Sequence, residues 1–221
     1  MLFDLRSRGR RRTVQGVYLG LALLMGGGLV LFGVGAGNGF GGILNAFTGN
    51  GSGSAQKQVV SAAEKAALRQ TQLNPSDPSG WAAMVQARWD SAGQGSDFDS
   101  ATGTFTTAGK QELAATTQAY ERYQPLVKTV DPSIAILAAR AYAAQGNYAG
   151  AAGAWEQVTL AAPTETKGFQ CLAVTAYAAK QTRKGDLAAA KAVSLAPQAS
   201  RLTLNQELQQ AKTNPAIAQS C

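Results

Sequence analysis

The chain has 221 residues, room for one domain of ordinary size plus attachments. It contains no histidine, which removes the commonest general base and the commonest metal ligand. Its formal charge of +7 sits largely at one end: Arg6, Arg8, Arg10, Arg11 and Arg12 against Asp4 give residues 1–12 a net +4 and leave +3 for all the rest, so the basic balance does not indicate a nucleic-acid-binding domain.

The Arg-led segment 1–12 is followed by an uncharged stretch, residues 13–36. Its 24 residues suffice to cross a hydrocarbon core of about 30 Å as a helix. With arginines before it and neutral, Gly-rich sequence after it, the positive-inside rule predicts a cytoplasmic N-terminus and a C-terminal part on the far side of a cell membrane. An uncleaved single-pass anchor is the reading. The rival is a cleaved signal peptide, for which Val34, Gly35 and Ala36 offer small residues at a cleavage point. Gly16 and Gly20 form a G-x-x-x-G pair, which lets two membrane helices approach closely.

Residues 37–53 form a Gly-rich linker by composition. Residues 54–212 are then helical in pattern. A first helix over 54–73 carries Val59, Val60, Ala63, Ala67 and Leu68 and stops at Asn74-Pro75. Asp77-Pro78-Ser79 recurs as Asp131-Pro132-Ser133, and an acidic residue followed by proline is a helix start. Between these copies, residues 91–109 read as an insertion separating two helices, with Phe105 tucked inward. Asp97-Phe98-Asp99 has the opening of a calcium loop, but the later ligands and the loop glycine are out of place. A surface loop of this length is a candidate contact surface.

The clearest unit is 131–163. Ile134, Leu137, Ala138 and Tyr142 line one helical face, Gln145-Gly146-Asn147 stops the helix, and Ala151, Ala154, Trp155 and Val158 line the next face up to Pro163. A degenerate third unit follows, with a first helix over 167–180, Tyr177 in the aromatic slot, and a shorter second helix beginning at Gly185-Asp186. Residues 199–212 read as a polar capping helix and 213–221 as a flexible tail. Cys171 and Cys221 fit neither a zinc pattern nor a disulfide framework. A bridge between them is open to a protein outside the cytoplasm, but a free or structural Cys171 is the reading.

Tyr142, Gly146, Ala151, Trp155 and Pro163 stand at the spacing of the tetratricopeptide repeat (TPR), a 34-residue helix-turn-helix, and the chain resembles that family over roughly 54–212. The unit departs from the pattern at Ala135, Ala138 and Ala139. In the unit before it, Trp81, Met84 and Val85 fill the slots for Trp, Leu and Gly, and Arg88 stands where Tyr is usual. The resemblance implies an all-α fold: a single membrane helix, then a solenoid of about three hairpins with a C-terminal cap.

No catalytic constellation is present: no Ser-His or Cys-His pairing, phosphate loop or dinucleotide fingerprint. Neither enzyme activity, nor a cofactor, nor a metal, nor a small-molecule substrate is expected. The family's geometry implies a groove lined by the first helix of each pair, with Gln86, Trp89, Ile136, Arg140 and Thr175 as partner-binding positions. The paired Lys and Asn with which some TPR domains clamp a terminal carboxylate are missing; Ala82 and Gln86 stand at such places. The layout is similar to anchored TPR proteins that accompany the Sec translocon and membrane-bound chaperones. The expected partners are therefore other proteins: a peptide segment in the groove, or subunits of a membrane complex. Two alternatives stand beside an adaptor: a structural subunit of an envelope or respiratory complex held by its span, and a cleaved, secreted binding protein.

Overall fold

A computed structural model describes the backbone of residues 52–221 and the side chains from residue 62 onward. The basic segment, the apolar stretch with Gly16 and Gly20, and nearly all of the Gly-rich stretch lie outside the described residues. Among the described residues no helix is long and apolar enough to cross a membrane.

The fold is all-α with one short β-hairpin. The helices are α1 (Ser52–Leu73), α2 (Pro78–Ala92), α3 (Thr107–Tyr123), α4 (Pro132–Ala144), α5 (Tyr148–Ala161), α6 (Thr166–Ala178), α7 (Thr182–Leu195) and α8 (Arg201–Ala211). From Gln56 onward they form one compact unit. Three consecutive pairs, α2/α3, α4/α5 and α6/α7, make the closest packings, together with α5 against α6. The first helices of the first two pairs, α2 and α4, also touch.

The repeated Asp-Pro-Ser has a repeated structural role. Asp77 and Asp131 are N-caps whose carboxylates accept the N–H of Ser79 at 2.9 Å and of Ser133 at 2.8 Å. Pro78 and Pro132 then occupy the first helical position, where no N–H is needed. Arg88 on α2 reaches Glu64 on α1 and Glu112 on α3 with its guanidinium, each at 2.9 Å. The two ion pairs thus join three helices.

The insertion is ordered. A 3-10 turn (Gly95–Asp97) leads into β1 (Phe98–Asp99), which pairs antiparallel with β2 (Thr104–Phe105), Phe98 opposite Phe105. The two rings meet edge to face at 5.2 Å between centroids. Asp99 accepts the N–H of Ala101 at 2.9 Å across the turn. Phe105 packs inward on Ala92, Leu113 and Ala141, as its sequence position predicts.

Alanine dominates the core: Ala135, Ala138, Ala139, Ala151, Ala152, Ala173, Ala176 and Ala192 are all fully buried. Close approach is carried further by glycine. An added Cβ at Gly150 would stand 2.7 Å from the Tyr142 ring, and one at Gly185 would stand 2.5 Å from the Tyr177 ring. Both tyrosines end on carboxylates: Tyr142 donates to Glu121 at 2.8 Å and Tyr177 to Asp186 at 2.9 Å. So α4/α5 and α6/α7 use the same device, a tyrosine laid over a glycine eight residues later.

Two expectations need correction. The third pair is not degenerate in length: α6 and α7 have 13 and 14 residues, the same as α4 and α5. Its turn, residues 179–181, is closed by Lys180 at φ 60°, the left-handed position that Gly146 takes at φ 74° in the preceding pair. The Gln181 N–H donates to Ala176 O at 2.8 Å just as Asn147 N–H donates to Tyr142 O at 2.9 Å. Without a glycine there, the sequence pattern shows no stop, and the second helix is read as starting at Gly185 rather than Thr182. The second correction concerns residues 213–221, expected as a flexible tail. Asn214 caps a 3-10 helix, Pro215–Ser220, by accepting the Ala216 N–H at 3.1 Å. This segment packs along α6, α4 and α8, burying Ala218.

Candidate functional site

The tail reaches the face that α4 and α6 would otherwise present. Cys171 on α6 and Cys221 form a disulfide, with Cα atoms 5.6 Å apart. The reading of Cys171 as a free or merely structural cysteine is thereby corrected. Both residues are buried. On the neighbouring helix, Arg140 Nε donates to the main-chain oxygen of Cys221 at 3.0 Å. One end of the tail is therefore tied to α6 covalently and to α4 by a charged donor.

The sequence-predicted groove residues separate into three kinds. Trp89 and Arg140, from α2 and α4, line one open cavity of about 660 Å³. Gln86 is exposed on α2 and Ile136 is half-buried against the core; neither lines that cavity. Thr175 is not available to a partner at all. It is fully buried, and its hydroxyl donates back to Cys171 O at 2.7 Å. Its position on α6 lies one turn after Cys171, on a buried face rather than on the open groove face that the TPR resemblance implies. Gly16 and Gly20 lie outside the described residues.

The rest of the cavity wall was not legible as such. The β-hairpin supplies Gly103, Thr104 and Phe105, and α3 supplies Lys110. Ala143 and Ala144 extend the α4 wall, and Gln219, Ser220 and Cys221 close it from the tail. The only available signals were the length of the insertion and the pair of cysteines. The lining side chains include Lys110 and Arg140 and no Asp or Glu, and Cys221 contributes the main-chain oxygen that accepts from Arg140. Among the described residues Lys110 makes no ion pair, whereas Arg88, Lys184 and Lys212 pair with side-chain carboxylates and Arg140 is engaged by the main-chain oxygen of Cys221. Asp90 follows Trp89 on α2 outside the lining, and burial pushes its carboxyl above the usual carboxylate range. Elsewhere the titratable groups serve the packing. Desolvation, and then the bond to Glu121, raises the Tyr142 phenol, while Lys212 and then Tyr177 lower the carboxyl of Asp186.

Chemically the cavity offers two rings, two positive groups and neutral small residues. That set can hold a partly apolar ligand. Comparison of the chain with protein-family models, curated proteins and solved structures finds no match.

Proposed function

We propose that the protein is a non-catalytic, membrane-anchored adaptor whose folded part is a TPR-like solenoid of about three units acting in protein–protein recognition outside the cytoplasm. The observation that carries this reading is the meeting of Trp89 and Arg140 in one open cavity on the first helices of adjacent pairs. Aromatic and arginine side chains contribute most of the energy in protein interfaces. The TPR assignment rests on the three hairpins, the tyrosine-over-glycine packing and the matched residues of 131–163. The placement outside the cytoplasm rests on the order of the basic cluster and uncharged stretch, and is supported by the disulfide, since such bonds persist in oxidising compartments.

A second reading has its own observation. The Gly16–Gly20 pair favours a structural subunit held in an envelope or respiratory membrane complex through its span. Purification of the full chain from its own membranes in a gentle detergent, with co-purifying proteins identified by mass spectrometry, separates the two. The adaptor reading predicts that Trp89→Ala or Arg140→Ala removes partners such as translocon subunits or chaperones. Partners that follow the native span and ignore both substitutions would instead establish the structural subunit.

A further inference from the structure

We infer that the Cys171–Cys221 disulfide is a redox latch: it seats residues 215–221 over α6 and α4, and a dithiol that reduces it releases them, and with them one wall of the cavity. The latch stands on the tail's own contacts; only its consequence for partner capture rests on the adaptor reading. Apart from the disulfide, the tail is held lightly. Pro215, Ala216, Gln219 and Ser220 are exposed, Ile217 is half-buried, and the side chains fully covered are Ala218 and Cys221 itself. Among the described residues, the hydrogen bonds from this segment to the helices are Arg140 Nε to Cys221 O at 3.0 Å and Gln219 Nε2 to the Tyr148 hydroxyl at 3.5 Å, the second at the outer limit for such a bond. Ser220 instead donates within the segment, to Ile217 O. Ordering a backbone segment costs conformational entropy at every residue, and one buried methyl, part of an isoleucine and one charged hydrogen bond offset that only in part. The covalent tie supplies the rest by keeping Cys221 beside α6 in every state of the oxidised chain. Gln219, Ser220 and Cys221 line the cavity, so seating the tail both builds that wall and occupies Arg140. Release removes the wall and frees the Arg140 Nε.

The exchange that opens the latch balances. A thiolate of the dithiol attacks Sγ of Cys221, the partner nearer solvent at 8% exposure against 0% for Cys171. The S–S bond breaks, its electron pair leaves on Cys171 Sγ, and that thiolate takes a proton from water. The second thiolate of the dithiol then attacks the dithiol's own sulfur in the mixed disulfide and expels Cys221 as a thiolate, which is protonated in turn. Two electrons pass to the protein and the dithiol becomes a disulfide. In an oxidising compartment the latch rests closed until such a dithiol is supplied.

The test is hydrogen exchange read by mass spectrometry on the full-length chain in detergent, oxidised and after dithiothreitol, beside Cys221→Ser. The amides of 216–221 are expected to exchange about tenfold or more faster in the reduced chain and in Cys221→Ser, while amides within α4 and α6 keep their protection. In the same samples a maleimide should label Cys171 and Cys221 under native conditions only after reduction. Arg140→Gln in the oxidised chain should leave tail exchange within about threefold of the parent, because the covalent tie suffices to seat the segment. Unchanged tail exchange after complete reduction would mean that non-covalent contacts hold the tail. Equal loss of protection in α4 and α6 would make the disulfide a staple of the whole unit. Maleimide labelling before reduction would mean that the pair is not bonded. Any of the three overturns the latch. No partner enters these measurements, so a failure of partner capture in the membrane leaves their outcome untouched.

Discussion

Arg140 on α4 donates from Nε to the main-chain oxygen of Cys221, 81 residues further along the chain, at 3.0 Å. This bond and the Cys171–Cys221 disulfide fix the tail as a wall of the cavity rather than a loose end. The groove expected along three first helices is therefore divided. Its α6 part is filled from within, and its α2–α4 part stays open.

Closing a loop of 50 residues restricts the unfolded chain, and a chain-entropy argument gives the disulfide a stabilising contribution of about 4 kcal/mol. Cys171→Ser is expected to lower the stability of the full-length chain by about 2–4 kcal/mol in urea unfolding followed by circular dichroism. A dithiol reductant should do the same to the native chain and nothing further to the variant. Equal unfolding curves with and without reductant would contradict the pairing.

Lys180 sits at φ 60° in the turn between α6 and α7, where a side chain costs about 1–2 kcal/mol relative to glycine. Part of that is returned by the larger freedom of glycine in the unfolded state. Lys180→Gly should therefore stabilise the protein by about 1 kcal/mol, read as a raised urea midpoint with an unchanged slope. A destabilised variant would mean that the turn is not left-handed there.

Gly185 and Gly153 give opposite expectations from the same substitution. Gly185→Ala drives a methyl into the Tyr177 ring and should cost about 1–3 kcal/mol. Gly153 has nothing within 4 Å of an added Cβ and lies within α5, so Gly153→Ala should stabilise by about 0.5–1 kcal/mol. Thermal melts of the two variants beside the parent check both signs at once.

These substitutions also mark how far the sequence could be read. The cap signals Asp77-Pro78 and Asp131-Pro132, the Gly146 stop and the apolar face of 131–163 were legible because each is local: capping and periodicity need only neighbours in sequence. The second helix of the third pair was misread because Lys180 adopts a conformation that its residue type does not advertise. The placement of the tail depends on the Cys171–Cys221 pairing, a contact across 50 residues that no periodicity encodes. Trp89 and Arg140 were identified individually, while Phe105 and Lys110 entered the site only through the fold of the insertion.

Alkaline pH should weaken the fold in a defined window. Burial, and secondarily the charge of Tyr123, pushes the Tyr120 phenol from 10.0 up to about 12, and the phenols of Tyr142 and Tyr177 are raised further. Above the ordinary value of 10.0 the unfolded chain loses these protons while the folded chain retains them. The folded state then binds more protons, so stability falls as pH rises. Their contribution is complete below pH 10.0 and is lost as pH passes through the raised folded values. Urea midpoints measured across this range check the sign; Tyr177→Phe should flatten the decline.

The most direct test of the cavity as a protein-binding surface is photo-crosslinking in native membranes. The photoreactive residue p-benzoylphenylalanine is introduced at Ala144, on the cavity wall, and at Leu187, exposed on α7 away from it. The account predicts a discrete protein adduct from position 144, absent from position 187 and lost when Arg140→Ala is added. No adduct at position 144, or one that persists unchanged with Arg140→Ala, would contradict it.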